Sequence, residues 1–259
     1  MSTLLAADIG NSYTVLGLLR GEDVVAHWRV STDDRRTADE WAVLVRGLLA
    51  EAEDGHSLDG VAVCATVPSV LAEWREMLVR HFGDLASVVV EPGVRTGMPV
   101  LMDNPREVGA DRILNSLAAS RIFGGPAIVV DFGTATTFDV VSAAGAYVGG
   151  AIAPGIEISL QALGRRGAQL REVELKKPRS VIAKNTVEAL QSGMLFGVAA
   201  QVEGLVARMI QELGEDASDV CVLATGHLAA LVLDECSCFT DHAPWLTLQG
   251  LRMVFERNC

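Results

Sequence analysis

Two segments of this chain place small polar residues directly after an apolar run. Asp8–Thr14 follows the run 4–7, and Asp131–Thr137 follows the run 127–130. Each segment begins with Asp-x-Gly and continues with hydroxyl or amide side chains. Glycine lets backbone amides approach an anion closely, and such a turn offers several donors to phosphate oxygens. The two segments therefore predict turns that hold phosphate.

One such segment alone is as typical of an Asx turn in a plain β-hairpin as of a phosphate-binding turn. The presence of two copies favours the phosphate-binding interpretation. The two copies lie close to half of the 259-residue chain apart. In each half an Ala-Thr pair, Ala65-Thr66 or Ala224-Thr225, ends a later apolar run just before a predicted helix. Agreement in order and spacing indicates an internal repeat. We expect one nucleotide clamped between two related domains, with Asp8 holding a hydrated magnesium ion near the phosphates.

A third segment with chemical potential, Gly109-Ala110-Asp111-Arg112, opens a predicted helix between the two repeats. A carboxylate and a guanidinium beside the free amides of a helix start can hold an anionic or hydroxylated substrate. The Asp111 carboxylate can also take the proton of an attacking hydroxyl that lies within hydrogen-bond distance. The alternative is an exposed, charged helix start with a local ion pair.

Hydrophobic patterning predicts the elements that position these segments. The first half has strands at 3–9, 13–20 and 23–31, a helix at 37–53, a strand at 61–66, a helix at 68–81 and a strand at 86–90. The second half has strands at 127–132, 136–142 and 146–152, helices at 156–172 and 184–213, a strand at 219–225 and a helix from His227 onward. A central helix is predicted near 104–123. The sequence thus predicts an α/β protein with the order βββαβαβ in each half.

Composition argues against several classes of function. The formal net charge is −12 and the pI is about 4.8, so a nucleic-acid partner is not expected. No window approaches the ~18 apolar residues of a membrane span, and no basic leader precedes an apolar stretch, so we expect a cytoplasmic protein without a membrane partner. The five cysteines and five histidines show no metal-ligand spacing, and we expect free thiols.

Four motifs occur together in this chain: Asp8-x-Gly10-Asn11; Asn104-Pro-x-Glu107-Val-Gly109-Ala110-Asp111-Arg112; Asp131-x-Gly133-Thr134-Ala135-x-Thr137; and Gly149-Gly150-x-Ile152-x-Pro154-Gly155. The combination resembles the type III pantothenate kinase family, and the likeness extends from residue 8 to the end. The resemblance implies the acetate kinase, sugar kinase and actin superfamily. Its fold has two duplicated ribonuclease H-like, actin-like domains, each a mixed five-stranded sheet flanked by helices. The corresponding halves here are 1–112 and 113–259.

The resemblance also implies an activity and its residues. Family members transfer the γ-phosphate of ATP to the hydroxyl of pantothenate, the first step of coenzyme A synthesis. Asp111 matches the general base, and Gly109, Ala110 and Arg112 match residues that bind pantothenate together with it. The ATP-binding positions would be Asp8, Ile9, Gly10, Asn11, Ser12, Tyr13, Thr14, Val15 and Thr134.

Two further roles follow from the same resemblance. Asp131 matches the ligand of a monovalent cation, potassium or ammonium, that the family requires. Thr186 matches a threonine that reaches pantothenate from the neighbouring subunit of a homodimer. Magnesium would accompany ATP.

The sequence departs from the family pattern at two positions. Met102 stands where many members have an aromatic residue, and His227 stands where many have glycine. The His227 side chain would either crowd the adenine region or point into solvent as a helix cap. Two other functions stay open at this point: a nucleotide-binding regulatory homologue without transfer activity, and a kinase for another small hydroxyl compound.

Overall fold

A computed structural model describes residues 2–52, 57–166 and 173–259. The chain forms two compact units. Unit 1 comprises the residues up to Met98 together with Asp103–Ala118 and Trp245–Cys259, and unit 2 comprises Pro99–Met102 and Ala119–Pro244. These units are defined by packing, so the division of the duplicated sequence into 1–112 and 113–259 stays a prediction.

Unit 1 is built on a five-stranded mixed sheet. Its strands are β1 (Thr3–Ile9), β2 (Tyr13–Arg20), β3 (Asp23–Ser31), β4 (Gly60–Ala65) and β5 (Ala86–Val90), in the order β3-β2-β1-β4-β5. β1 pairs antiparallel with β2 and parallel with β4. The helices of this unit are α1 (Ala38–Glu51), α2 (Pro68–His81), the first part of α3 (Ala110–Ile122) and α7 (Leu246–Asn258).

The two faces of the first sheet bury different helices. Alternate residues of β1 (Leu5, Ala7 and Ile9) pack into the core that α1 and α2 cover. On that side the rings of Trp41 and Trp74 lie 5.4 Å apart. Helix α7 packs against β1, β4 and β5. Because side chains alternate along a strand, Asp8 points away from the α1 and α2 core.

The sheet of unit 2 repeats this order. Its strands are β6 (Ala127–Phe132), β7 (Ala135–Val141), β8 (Tyr147–Pro154), β9 (Cys221–Thr225) and β10 (Asp241–His242), in the order β8-β7-β6-β9-β10. β6 pairs antiparallel with β7 and parallel with β9, as β1 does with β2 and β4. The helices are α4 (Ile156–Arg166), α5 (Thr186–Leu213) and α6 (Ala229–Val232). The predicted α/β fold with two duplicated five-stranded sheets is confirmed.

Most predicted elements lie within one or two residues of their observed bounds. Helix α1 begins one residue after Thr37, whose side chain accepts from the amide of Glu40 in a capping box. The central helix predicted near 104–123 is instead a 3₁₀ turn, Pro105–Glu107, followed by α3. Residues 167–172 of the helix predicted at 156–172 lie outside the described residues.

The helix predicted from His227 onward is wrong. This stretch contains the four-residue α6, the 3₁₀ turn Leu233–Glu235, the two-residue strand β10 and then α7. A two-residue strand has no periodic pattern to detect, because the tertiary contact with β9 forms it.

Helix α5 is long and apolar enough, by length and composition, to cross a membrane, which the sequence did not predict. One such helix is weak evidence, since core helices meet the same test. Along its most apolar stretch 22% of the helix is buried within the protein. Leu195, Val202 and Val206 supply part of that burial in the core of unit 2. Most other large apolar side chains of α5 are partly buried against the same core, and Val187, at the start of the helix, is exposed.

Candidate active site

The turn between β1 and β2 is tight and is braced by the end of β3. The amide of Gly10 donates to the Tyr13 carbonyl over 3.0 Å. A Cβ at residue 10 would lie 2.9 Å from that oxygen, so the turn requires glycine. The hydroxyl of Thr32 donates to the Gly10 carbonyl at 2.8 Å and lies 2.9 Å from the Thr14 hydroxyl. Thr32, which sequence reasoning missed, therefore fixes the shape of the turn.

The predicted ATP-binding residues of this hairpin differ in exposure. Asn11 and Ser12 are exposed at the tip, whereas Ile9 and Thr14 are fully buried. The Thr14 hydroxyl is occupied by Thr32 rather than directed to the surface. Side-chain donors for a ligand thus come from the tip of the turn, and the buried residues hold that tip in place.

Asp8 ends strand β1 in an environment that disfavours its charge. Burial and the charge of Asp111 raise the pKa of Asp8 to about 7, and a hydrogen bond from Cys64 opposes the shift. The Cys64 thiol donates to Oδ1 of Asp8 over 3.3 Å. Within unit 1, Asp111 therefore lies close enough for its negative charge to act on the Asp8 carboxylate. A cation at Asp8 would relieve this repulsion.

Asp111 lies in the first turn of α3 and is half-buried. The amide of Arg112 donates to its Oδ1 at 2.9 Å. Burial raises the pKa of the Asp111 carboxyl, while the hydrogen bond and the charge of Arg112 oppose the shift. A Cβ at Gly109 would overlap this same Oδ1, so glycine is what allows the carboxylate its observed orientation. The alternative of an exposed, charged helix start does not fit a half-buried carboxylate.

The turn between β6 and β7 is one residue shorter than its counterpart. Phe132 pairs with Thr136 across it, whereas Ile9 pairs with Thr14 across the first turn. The amide of Gly133 donates to the Ala135 carbonyl over 3.1 Å. The two Asp-x-Gly segments therefore start alike and present different turn geometries.

Two glycines enclose the polar residues at this second turn. Gly226 has a φ of +89°, and a Cβ there would overlap Oδ1 of Asp131 and lie 2.6 Å from the Phe132 nitrogen. A Cβ at Gly155 would overlap the carbonyl oxygen of Thr134. Backbone therefore approaches both Asp131 and Thr134 at distances that exclude any side chain.

A buried carboxylate that the sequence analysis missed lies on the same sheet face. Thr137 pairs with Asp131 across the ladder, and its hydroxyl donates to Oδ2 of Asp139 at 3.2 Å. The Tyr147 hydroxyl donates to Oδ1 of the fully buried Asp139 at 3.0 Å. The only sequence signal was an acidic residue inside an otherwise apolar strand.

The two positions that depart from the family pattern have defined surroundings. His227 does not cap a helix, because α6 begins at Ala229 with Leu228 at the N-cap position. The expectation that its side chain points into solvent is wrong: it is 18% exposed, with Nε2 3.7 Å from Oε1 of Glu157. The sulfur of Met102 lies 3.7 Å from the Cβ position of Gly149.

Thr186 is exposed at the first position of α5. The side chain of Asn185 caps this helix by accepting from the amide of Glu188 at 2.9 Å. Apolar side chains around it are also exposed, among them Val187 and Ile182, the latter to 84%. No described contact joins Thr186 to the other predicted site residues of its unit.

Among the described residues, no group of three or more His, Cys, Asp or Glu side chains could hold a metal ion. All five cysteines are free, as predicted. The donor set around Asp8 fits magnesium nonetheless, because this ion keeps several waters and often binds through one carboxylate and substrate phosphates.

Comparison with known proteins decides the family. Residues 4–208 match the family model of type III pantothenate kinase. The chain belongs to this family. A type III pantothenate kinase from a Nocardioides species is 74% identical over 256 residues, which cover 98% of this chain and 99% of the relative. Another, from Streptomyces avermitilis, is 63% identical over 260 residues, covering 98% of each.

The architecture agrees with this assignment. The solved structure of an inorganic polyphosphate/ATP-glucomannokinase from Arthrobacter superimposes with a TM-score of 0.53 at 14% identity, covering 100% of both chains. At that identity the likeness shows the fold alone. The type III pantothenate kinase assignment confirms the expectation of an ATP-dependent kinase of coenzyme A biosynthesis, and the fold is confirmed as that of the actin-like sugar kinases.

The raised pKa of Asp8 predicts a pH-dependent stability difference. Since the pKa lies above its unfolded value, the stability that Asp8 contributes is complete below about pH 4 and is lost as pH rises through about 7. The loss is at most about 4 kcal/mol. Asp8→Asn should therefore raise the melting temperature of the metal-free protein at pH 8 and much less at pH 5. Asp23→Asn, at an exposed position, is the control; equal effects of Asp8→Asn at both pH values would contradict the prediction.

Proposed function

We propose that Asp111 is the general base of this pantothenate kinase. Its half-buried carboxylate, kept in place by Gly109 and the Arg112 amide, is the observation that carries the proposal. The carboxylate takes the proton of the pantothenate hydroxyl as the oxygen forms a bond to the γ-phosphorus of ATP. The bond from that phosphorus to the bridging oxygen breaks, and ADP leaves. A raised pKa makes Asp111 a better proton acceptor than an ordinary carboxylate.

Pantothenate is itself an anion, and the start of α3 suits it. We propose that Gly109, Ala110 and Arg112 bind it beside the base. The Arg112 guanidinium supplies a positive charge one residue from Asp111, and the first amides of α3 supply donors. The same short segment would then both orient the acceptor and activate it.

The nucleotide phosphates belong, in this proposal, to the hairpin 8–15 and to Thr134. Asn11 and Ser12 are the exposed side chains of the first turn, and backbone amides supply the remaining donors. Asp8 would hold magnesium through water. Bound there, magnesium neutralises charge that develops on the phosphates.

We propose Asp131 as the ligand of the monovalent cation, potassium or ammonium. The close backbone around it, set by Gly226, supplies a confined site. Thr137, the ladder partner of Asp131, donates to the buried Asp139, which adds a second carboxyl group on the same sheet face. Carboxylate and carbonyl oxygens are suited to such an ion.

We further propose a homodimer in which Thr186 contributes to the partner's pantothenate site. The support is the group of exposed apolar side chains around the start of α5: Val181, Ile182 and Val187. Exposed apolar patches mark interaction sites. A protein interface rather than a membrane would cover this surface, in a cytoplasmic enzyme that has ATP and pantothenate as ligands and no nucleic-acid partner.

The base is tested by Asp111→Asn in a coupled ADP-release assay with and without pantothenate. Removing the proton acceptor should lower kcat by roughly 10²–10⁴-fold. Asp103→Asn, an exposed carboxylate nearby in unit 1, should leave kcat unchanged. Full turnover by Asp111→Asn would remove the assigned base. ATP binding by the wild type without any pantothenate-dependent product would favour a regulatory homologue, and turnover on another acceptor alone would favour a different kinase.

The cation site is tested by comparing turnover in potassium, ammonium and sodium chloride. The wild type should be several-fold faster in potassium or ammonium, because sodium binds its water more tightly. Asp131→Asn should abolish this difference, since the amide carries no charge. Asp219→Asn is the control in unit 2. Asp131→Asn that kept the full response to potassium would exclude this ligand.

The dimer is tested by Ile182→Glu. If the apolar surface around the start of α5 is the dimer interface, this substitution places a charge inside it. We expect light scattering to show monomers and pantothenate turnover to fall sharply while the monomer stays folded. Val79→Glu alters an equally apolar residue, 78% exposed on α2, and should leave the mass and turnover unchanged. A dimer that survives Ile182→Glu with full activity would place the interface elsewhere.

A further inference from the structure

The duplicated sheets place a small hydrogen-bonding side chain beside each central aspartate. In unit 1, Asp8 pairs with Cys64 across the parallel ladder of β1 and β4. In unit 2, Asp131 pairs with Thr225 across β6 and β9. Cys64 is 1% exposed and Thr225 is 2% exposed. Cys64, and not Thr66 of the matching Ala-Thr pair, is therefore the ladder counterpart of Thr225. Both sheets have a buried thiol or hydroxyl next to the central carboxylate.

A hydrogen bond orients the Cys64 side chain toward Asp8. The Cys64 thiol donates to Oδ1 of Asp8 at 3.3 Å. An ionised carboxylate only accepts hydrogen bonds, so the thiol must be the donor.

The carboxylate needs such a contact if it is to have one orientation. The terminal torsion of an aspartate is broad and only roughly two-fold, so packing alone does not fix the plane of the carboxylate. When the thiol holds Oδ1, the direction of Oδ2 is fixed as well. A magnesium ion bound through water requires an accurately placed carboxylate, because each bridging water must also lie within reach of the phosphates.

We propose that Cys64 is a positioning residue that holds the Asp8 carboxylate in the orientation required to bind magnesium-ATP. The inference rests on the proposed role of Asp8 as the magnesium-side carboxylate. Cys64 touches neither the nucleotide nor the reacting atoms. Its effect reaches them through Asp8 alone.

The matched pair Cys64→Thr and Cys64→Val tests this inference. The two side chains have nearly the same shape, and only threonine carries a donor hydrogen, as Thr225 does beside Asp131. Cys64→Val should raise the dissociation constant for magnesium-ATP roughly tenfold in titration calorimetry, with a parallel rise in the magnesium concentration needed for half-maximal rate. Cys64→Thr and Cys64→Ser should stay within about threefold of the wild type. Cys221→Ala is the control. Cys221 lies at the start of β9, whereas Asp131 pairs with Thr225 at the other end of that strand, so the affinity for magnesium-ATP should not change.

Melting temperatures separate misfolding from mispositioning. A Cys64→Val protein that melts near the wild-type temperature and still binds poorly supports the inference. Equal affinities of Cys64→Val and Cys64→Thr would overturn it, whatever their melting temperatures, because shape and not hydrogen bonding would then be the requirement.

A double-mutant cycle with Asp8→Asn keeps the two proposals apart. If Cys64 acts through Asp8, Cys64→Val should add little to the loss of magnesium-ATP affinity already caused by Asp8→Asn. An additional tenfold loss would show that Cys64 acts by another route and would overturn the inference while the role of Asp8 stands. Unchanged affinity in Asp8→Asn alone would instead remove the proposed role of Asp8, and the inference with it.

Discussion

The central strand of each sheet has an antiparallel neighbour on one side and a parallel neighbour on the other, and the candidate site depends on this arrangement. Because β1 and β4 run in the same direction, their carboxyl ends meet at one edge, where β2 also begins. Asp8, its hairpin and Cys64 are all collected at that edge. The same pairing of β6 with β7 and β9 collects Asp131, Thr134 and Thr225 in the second sheet.

Electrostatics then distinguishes the first edge from an ordinary strand end. Asp8 and Asp111 come from strand and helix, and burial makes the charge of each costly. Nearby donors offset only part of that cost, as Cys64 does for Asp8 and Arg112 for Asp111. Two carboxylates whose charges are costly in one unit suit the proposed roles of cation ligand and proton acceptor. A phosphoryl transfer to a hydroxyl requires both roles.

The sequence predicted the elements that carry strong periodicity and the residues that belong to contiguous motifs. The three-strand openings of both halves and α1 follow from local pattern, turn chemistry and capping. Thr32, Cys64 and Asp139 were missed because their importance comes from a partner 18 to 56 residues away or from a neighbouring strand, which no local pattern records. Strand β10 was missed for the same reason, since pairing with β9 is what makes it a strand. The sequence also does not show which hydroxyl groups are free to bind a ligand: the Thr14 hydroxyl is buried and hydrogen-bonded to Thr32.

Helix α7 has a consequence for how the chain is made. It covers one face of the first sheet: Leu248 lies against Gly17, and the ring of Phe255 lies against Gly60. Yet it follows, in chain order, all of the described part of unit 2 beyond Ala118. During translation the first sheet therefore keeps an apolar face open until residues 245–259 have been synthesised. A truncation that removes α7 would leave unit 1, whose sheet is made first, without the helix that covers it.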